Sequence, residues 1–131
     1  MSQDNPALKT AAAALVQQLM NSLYGMRGCV ISTEDGFMIA AHMLGDNATR
    51  LSAIASSIAA LGVVAGQENN LGACTTVVVE AESGAIVMSR ASRPDVNLVI
   101  SLIGSKAAVL GQLLYAARDA AQQLEQVPTG V

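Results

Sequence analysis

The single histidine, His42, is the first place to look for acid–base or metal chemistry, and its neighbours offer it little. A metal centre asks for a second His or a His/Cys cluster at ligand spacing. A Ser-His-Asp group asks for a nucleophile and an acid aimed at the imidazole. Asp46 is near in sequence, but nothing marks a nucleophile, so His42 reads as a half-exposed loop residue. Gly104-Ser105-Lys106 looks superficially like the end of a phosphate loop. The required Gly-Lys pair of G-x-x-x-x-G-K-[ST] is absent, so the tripeptide reads as a strand-to-helix turn and the chain is not expected to hydrolyse nucleotide itself. Arg90 and Arg93 flank a turn. An arginine supplied in trans can stabilise charge in GTP hydrolysis, but these two read as a solvated pair. Glu80 and Glu82 straddle another turn and do not form an enclosed acid/base couple. Cys29 and Cys74 lie far apart, make no C-x-x-C pair and sit in apolar strand-like runs. They read as two buried small hydrophobes in a reducing, cytoplasmic compartment. The residues therefore assign no catalytic, metal-binding or cofactor-binding group, and no cofactor is expected.

The composition explains more than the scattered polar groups do. Hydrophobic residues make up 52% of the 131, charged residues only 13% and aromatics 2%, with no Trp. Typical domains carry about 25% charged residues, so some apolar surface here must face solvent or be covered by a partner. A net charge of −3 and the lack of any Lys/Arg cluster argue against nucleic acid and anionic membranes as partners. The N-terminus has no basic region before an apolar stretch and does not read as a signal peptide. Leu51 to Gln67 is uncharged and approaches membrane-spanning length. It is full of Ser, Ala and Gly inside a globular pattern, so membrane insertion is not expected.

The elements follow from periodicity and punctuation. Asn5-Pro6 caps a helix whose stripe is Leu8, Ala12, Leu15, Leu19 and Leu23. Gly25 and Gly28 end it, Cys29-Val30-Ile31 is a strand, Glu34-Asp35-Gly36 a hairpin turn, and Phe37 to Ala41 a second strand. A second helix runs from about Ala48 to Glu68 and stops at Asn69-Asn70-Leu71-Gly72. Cys74 to Val79, Ala85 to Arg90 and Val96 to Ile103 are three more strands. Gly104-Ser105 opens a last helix with the stripe Leu110, Leu113, Leu114, Ala117, Ala121 and Leu124. The order is α-β-β-α-β-β-β-α. Hairpin-length connections imply a mostly antiparallel sheet in one domain, with core residues about 6–125. Met1 to Asn5 and Gln126 to Val131 are expected to be disordered tails.

The second helix is the informative element. Leu51, Ile54, Ile58, Leu61 and Ala65 form a bulky stripe expected to dock on the sheet. The other positions carry no charge between Arg50 and Glu68. A helix with no charged face is usually covered on more than one side. Small residues four apart, in Ser52-Ser56-Ala60 and Gly62-Gly66, suit helix-on-helix contact. The strand that follows is apolar on both faces, so it is either central or extended by a partner at its edge. A symmetric dimer would satisfy both elements at once. Its contact is expected at Ser52, Ala55, Ser56, Ala59, Val63, Thr75, Val77 and Val79. A further partner is expected on the outward face near Arg50, Ala53, Ser57, Ala60 and Val64.

Residues 25–36, Gly-Met-Arg-Gly-Cys-Val-Ile-Ser-Thr-Glu-Asp-Gly, resemble the opening strand and turn of Roadblock/dynein light-chain domains. The small-residue helix and the Val-rich strand are similar to that family too, and the element order matches from about Leu8 to Leu124. The resemblance implies an α/β (α+β) profilin-like fold, a five-stranded antiparallel sheet with the first and third helices on one face and the second on the other. It implies a homodimer through the second helix and third strand, and a role as a regulator or scaffold for a small Ras-like GTPase. It carries over no catalytic residue. A profilin-like small-molecule sensor is the alternative, but only Tyr24, Phe37 and Tyr115 could supply aromatic lining.

Overall fold

The computed structural model describes residues 5–43 and 47–129. The elements are α1 (Pro6–Ser22), β1 (Met26–Thr33), β2 (Met38–His42), α2 (Asn47–Glu68), β3 (Thr76–Ala81), β4 (Gly84–Ala91), β5 (Leu98–Ser105) and α3 (Leu110–Glu125). The five strands form one antiparallel sheet in the order β2-β1-β5-β4-β3. This is the expected fold class and element order.

Each boundary has a local cause. The Asn5 side chain accepts from Leu8 N–H and Pro6 takes the first helical position, so α1 starts there. Gly36 turns β1 into β2 at φ +102°, and the end of α2 unwinds through Asn70 at φ +58° and Gly72 at φ +84°. Gly104-Ser105 does not open the last helix. Both residues belong to β5, where Gly104 pairs with Met26 and Ala85. A Cβ on Gly104 would stand 2.7 Å from a Leu113 methyl and 2.8 Å from the Ala108 Cβ, so glycine lets α3 close onto the strand.

Alternation along the strands divides the core into two layers. Cys29, Ile31, Val87, Leu98, Ile100 and Leu102 face α1 and α3, which bury Leu8, Leu15, Val16, Leu19, Leu113 and Leu124 against them. Val30, Met88 and Val99 face α2. By the same alternation Ser32 and Ser101 also face α2. Both are fully buried, and neither hydroxyl has a hydrogen-bond partner among the described residues. An unmade hydrogen bond of this kind costs about 1–3 kcal/mol. Ser101→Ala is therefore expected to raise the melting temperature by roughly 2–5 °C, measured by circular dichroism. A fall instead would mean that the hydroxyl is satisfied in solution.

The two ends of the chain are held more firmly than their composition suggests. Arg93, whose side chain is fully buried, donates to the carbonyls of Leu124, Val127 and Pro128. Asn5 also donates to the Pro128 carbonyl. Gln126 to Pro128 are thus fastened to the body, contrary to the expected disorder, because a buried guanidinium collects the carbonyls left free at the end of α3. Residues 1–4 and 130–131 lie outside the described residues.

Candidate protein-interaction surface

α2 docks on the sheet with a different side from the one its bulky stripe suggests. Ala48, Leu51, Ser52, Ala55 and Ala59 are its buried residues. Of the bulky stripe only Leu51 is among them, while Ile54 is 53% exposed and Leu61 70%. The helix is turned roughly a quarter-turn about its axis from the expected orientation. Its small residues explain the turn. A Cβ on Gly62 would come within 2.7 Å of Cys74 Sγ, and one on Gly66 within 2.5 Å of the Gly72 carbonyl oxygen. The small stripe lets α2 lie close on its own sheet and on the chain that leads into β3.

Three residues expected at the dimer contact must therefore be corrected. Ser52, Ala55 and Ala59 lie beneath α2, and Ala55 and Ala59 pack with Met88 and Val99. Ser52 donates to the Ala48 carbonyl. They are unavailable to a second copy. Ser56 is half-buried beside Gly36 of the β1–β2 turn, and Val63 is half-buried on the same flank. Thr75 and Val79 are exposed and Val77 is half-buried. All five positions expected to meet a further partner, Arg50, Ala53, Ser57, Ala60 and Val64, are exposed.

Two apolar features remain open. β3 is an edge strand, and nothing among the described residues pairs with its outer side. Val78 and Val79 are more than a third exposed. On the neighbouring shoulder of α2, Ile54, Leu61 and Val64 stand in solvent, and Arg50 and Glu68 are the helix's only charges. An unpaired edge and an uncovered apolar helix side are the two features that a folded chain most often hides in a contact. Sequence reasoning placed Ile54 and Leu61 against the sheet, and the structure leaves both at the surface. The signal was present in the stripe of Ala48, Ser52, Ala55, Ala59, Gly62 and Gly66, the side with no bulk to hold the helix away from the sheet.

The groups considered for chemistry are spoken for or scattered. Arg90 forms an ion pair with Glu34 at the β1–β2 turn. Arg93 grips both carboxylate oxygens of Asp95 at 2.9 Å. Neither is the solvated arginine expected, because each has a carboxylate within its own fold. The same guanidinium, by hydrogen bond and by charge, holds the Asp95 carboxyl below its ordinary pKa. Burial pushes the Cys29 thiol up to about 12, so it stays an unreactive core group. Cys74 precedes β3 and is only half-buried, unlike the expected core position. His42 ends β2 exposed, and Asp46 lies outside the described residues. Among the described residues no three His, Cys, Asp or Glu side chains gather where they could hold a metal.

The Roadblock/LC7 domain model matches residues 12–101. No curated protein sequence matches the chain. Among solved structures, a Roadblock/LC7 domain from Streptomyces avermitilis is similar at 24% identity over 86% of this chain and 92% of its own, with a TM-score of 0.78. MglB from Myxococcus xanthus is similar at 14% identity over 90% and 87%, with a TM-score of 0.77. A profilin II from Acanthamoeba castellanii matches at 11% identity over 86% and 93%, with a TM-score of 0.55. At these identities the structural likenesses speak for the fold. The family match spans most of the chain, from α1 to β5, and the chain belongs to the Roadblock/LC7 family.

Proposed function

We propose that this chain is a homodimeric protein-interaction module that regulates or scaffolds a small Ras-like GTPase in the bacterial cytoplasm. The observation that carries the reading is the open outer edge of β3 beside the exposed apolar shoulder of α2. A second copy adding its own β3 and α2 there would continue the sheet and cover Ile54 and Leu61 together. Arg50, Ser57 and Val64 share that stripe and fall on the self-pairing side. Ala53 and Ala60 are left on the opposite shoulder. There Ala53 lies against Gly36 of the β1–β2 turn, next to the exposed Phe37 and Met38. That platform, with the exposed Asp35 in its turn, is the surface offered to the GTPase. The role is binding: at most the chain speeds hydrolysis in its partner, and with Arg90 and Arg93 both engaged it would do so by ordering the partner's own residues.

Sedimentation of the purified chain should give a dimer at micromolar concentration. Capture from the native extract should retain one Ras-like protein in one of its two nucleotide states. A monomer at all concentrations, or retention indifferent to GDP or GTP, would overturn the reading. A second reading, a small-molecule sensor, draws on a groove of about 380 Å³ between α1 and α3, lined by Leu15, Leu19, Leu23 and Tyr115 among others. Its size suits a ligand. A thermal shift with an organic ligand, lost on Leu19→Arg, would favour the sensor.

A further inference from the structure

α1 and α3 run antiparallel over one face of the sheet. Asn5 meets Pro128 at one end of the pair, and Gly25 lies against Ala108 at the other. The groove between the helices holds about 380 Å³, within the range of small-molecule sites. Leu15, Leu19 and Ala116 give it an apolar floor, and Leu23 lines its end. Gly111 lines it as well. Its φ is not positive, and a Cβ there would meet nothing within 4 Å. Neither backbone nor packing requires glycine at this position, where it weakens a helix relative to alanine. What it supplies is an open groove, of the kind glycine gives where a ligand comes close to the backbone.

One charged residue lines the groove. The half-buried Asp119 carboxylate accepts from Gln123 Nε2 at 2.7 Å and forms no ion pair among the described residues. A carboxylate has room for further donors. Arg118, its neighbour in sequence, donates to Thr76 instead. One turn before Asp119, on the same side of α3, Tyr115 leaves its ring 74% exposed. A carboxylate and an aromatic face one turn apart offer two attractions to one cation. Gly111 lies two turns before Asp119, about 12 Å along the axis. The positive end of the helix dipole disfavours a cation there, and Leu23 favours an apolar group.

We infer that this groove binds a small amphiphilic cation, an amine whose ammonium sits between Asp119 and Tyr115 and whose apolar tail runs over Leu19 toward Gly111 and Leu23. The inference rests on the sensor reading above and names its ligand class. It uses neither the β3 edge nor α2, so it is independent of the dimer.

Octylamine, octanol and octanoate share one tail and differ in the charge of the head. In titration calorimetry at neutral pH, where the amine is protonated, octylamine should bind at least about tenfold more tightly than either of the others. Asp119→Asn keeps an acceptor for Gln123 and should bring octylamine to within about threefold of octanol. Tyr115→Phe should keep the preference for the amine, and Tyr115→Ala should reduce it. Gly111→Leu should block all three ligands while melting no lower than the unmodified chain, so that its loss of binding is not unfolding. Equal binding of the three heads, no binding of octylamine at millimolar concentration, or an Asp119→Asn variant that retains the preference would overturn the inference. If other organic ligands still shifted the melting temperature after such a failure, the sensor reading would stand without its cation. If none did, both would fall.

Discussion

Ala59→Glu is expected to yield a chain that no longer folds cooperatively, whereas Leu61→Glu, two positions along the same helix, is expected to yield a folded monomer. Ala59 is 8% exposed and packs with Met88 and Val99 under α2. A glutamate there has no cation to pair with and no path to water except by lifting the helix. The cost is several kcal/mol, against a total stability of about 5–15 kcal/mol for a typical domain. Leu61 is 70% exposed, and glutamate costs the monomer little there. In the proposed pair the same change buries two unpaired carboxylates, one from each copy, and should weaken association by about a hundredfold or more. Thermal melts and sedimentation on the two variants separate the effects. If Ala59→Glu melted like the unmodified chain while losing the dimer, the side of α2 that faces the sheet would be the wrong one.

That contrast marks where the sequence was legible and where it was not. The order of eight elements could be read because each boundary is local: Asn5-Pro6 at one helix start, Gly36 in the first hairpin, Asn70 and Gly72 at the end of α2. The unusual character of α2 could be read because a helix with charges only at its two ends is uncommon wherever it lies. Its rotation could not be read from hydrophobicity, which assigns the core to the bulkiest stripe. Here the closeness of β3 decides instead. Cys74 and Gly72 approach so near that only Gly62 and Gly66 fit opposite them, and the rest of the small stripe follows them inward. Such a constraint is long-range. It depends on where the chain returns after α2, and no window along the helix contains it. The fate of Arg93 was hidden for the same reason. Its partners Leu124, Val127 and Pro128 are more than thirty residues away, so its neighbours in sequence, Ser92 and Pro94, made it look like an ordinary turn residue.

Arg93→Met should be the most damaging substitution outside the hydrophobic core. Methionine can fill much of the space but offers no donors. It would leave three backbone carbonyls and the Asp95 carboxylate without their common partner. Removing one member of a buried pair costs about 3–5 kcal/mol, a fall in melting temperature of roughly 10 °C or more for a domain of this size. Arg93→Lys should recover only part of the loss, because one ammonium cannot reach both Asp95 oxygens and the carbonyls at the end of α3. The same contact has a pH signature. Asp95 is held below its ordinary pKa in the folded chain, so its contribution is fully present above the unfolded carboxylate value of about 4. It is lost as the pH falls through the lower, folded value. The unmodified chain should therefore lose stability to acid across that window. Asp95→Asn and Arg93→Met should each lose less there, having given up the interaction already. If the acid profiles of all three coincided, the Arg93–Asp95 pair would carry no net stability, and the anchoring of the C-terminal segment would have to come from the carbonyl contacts alone.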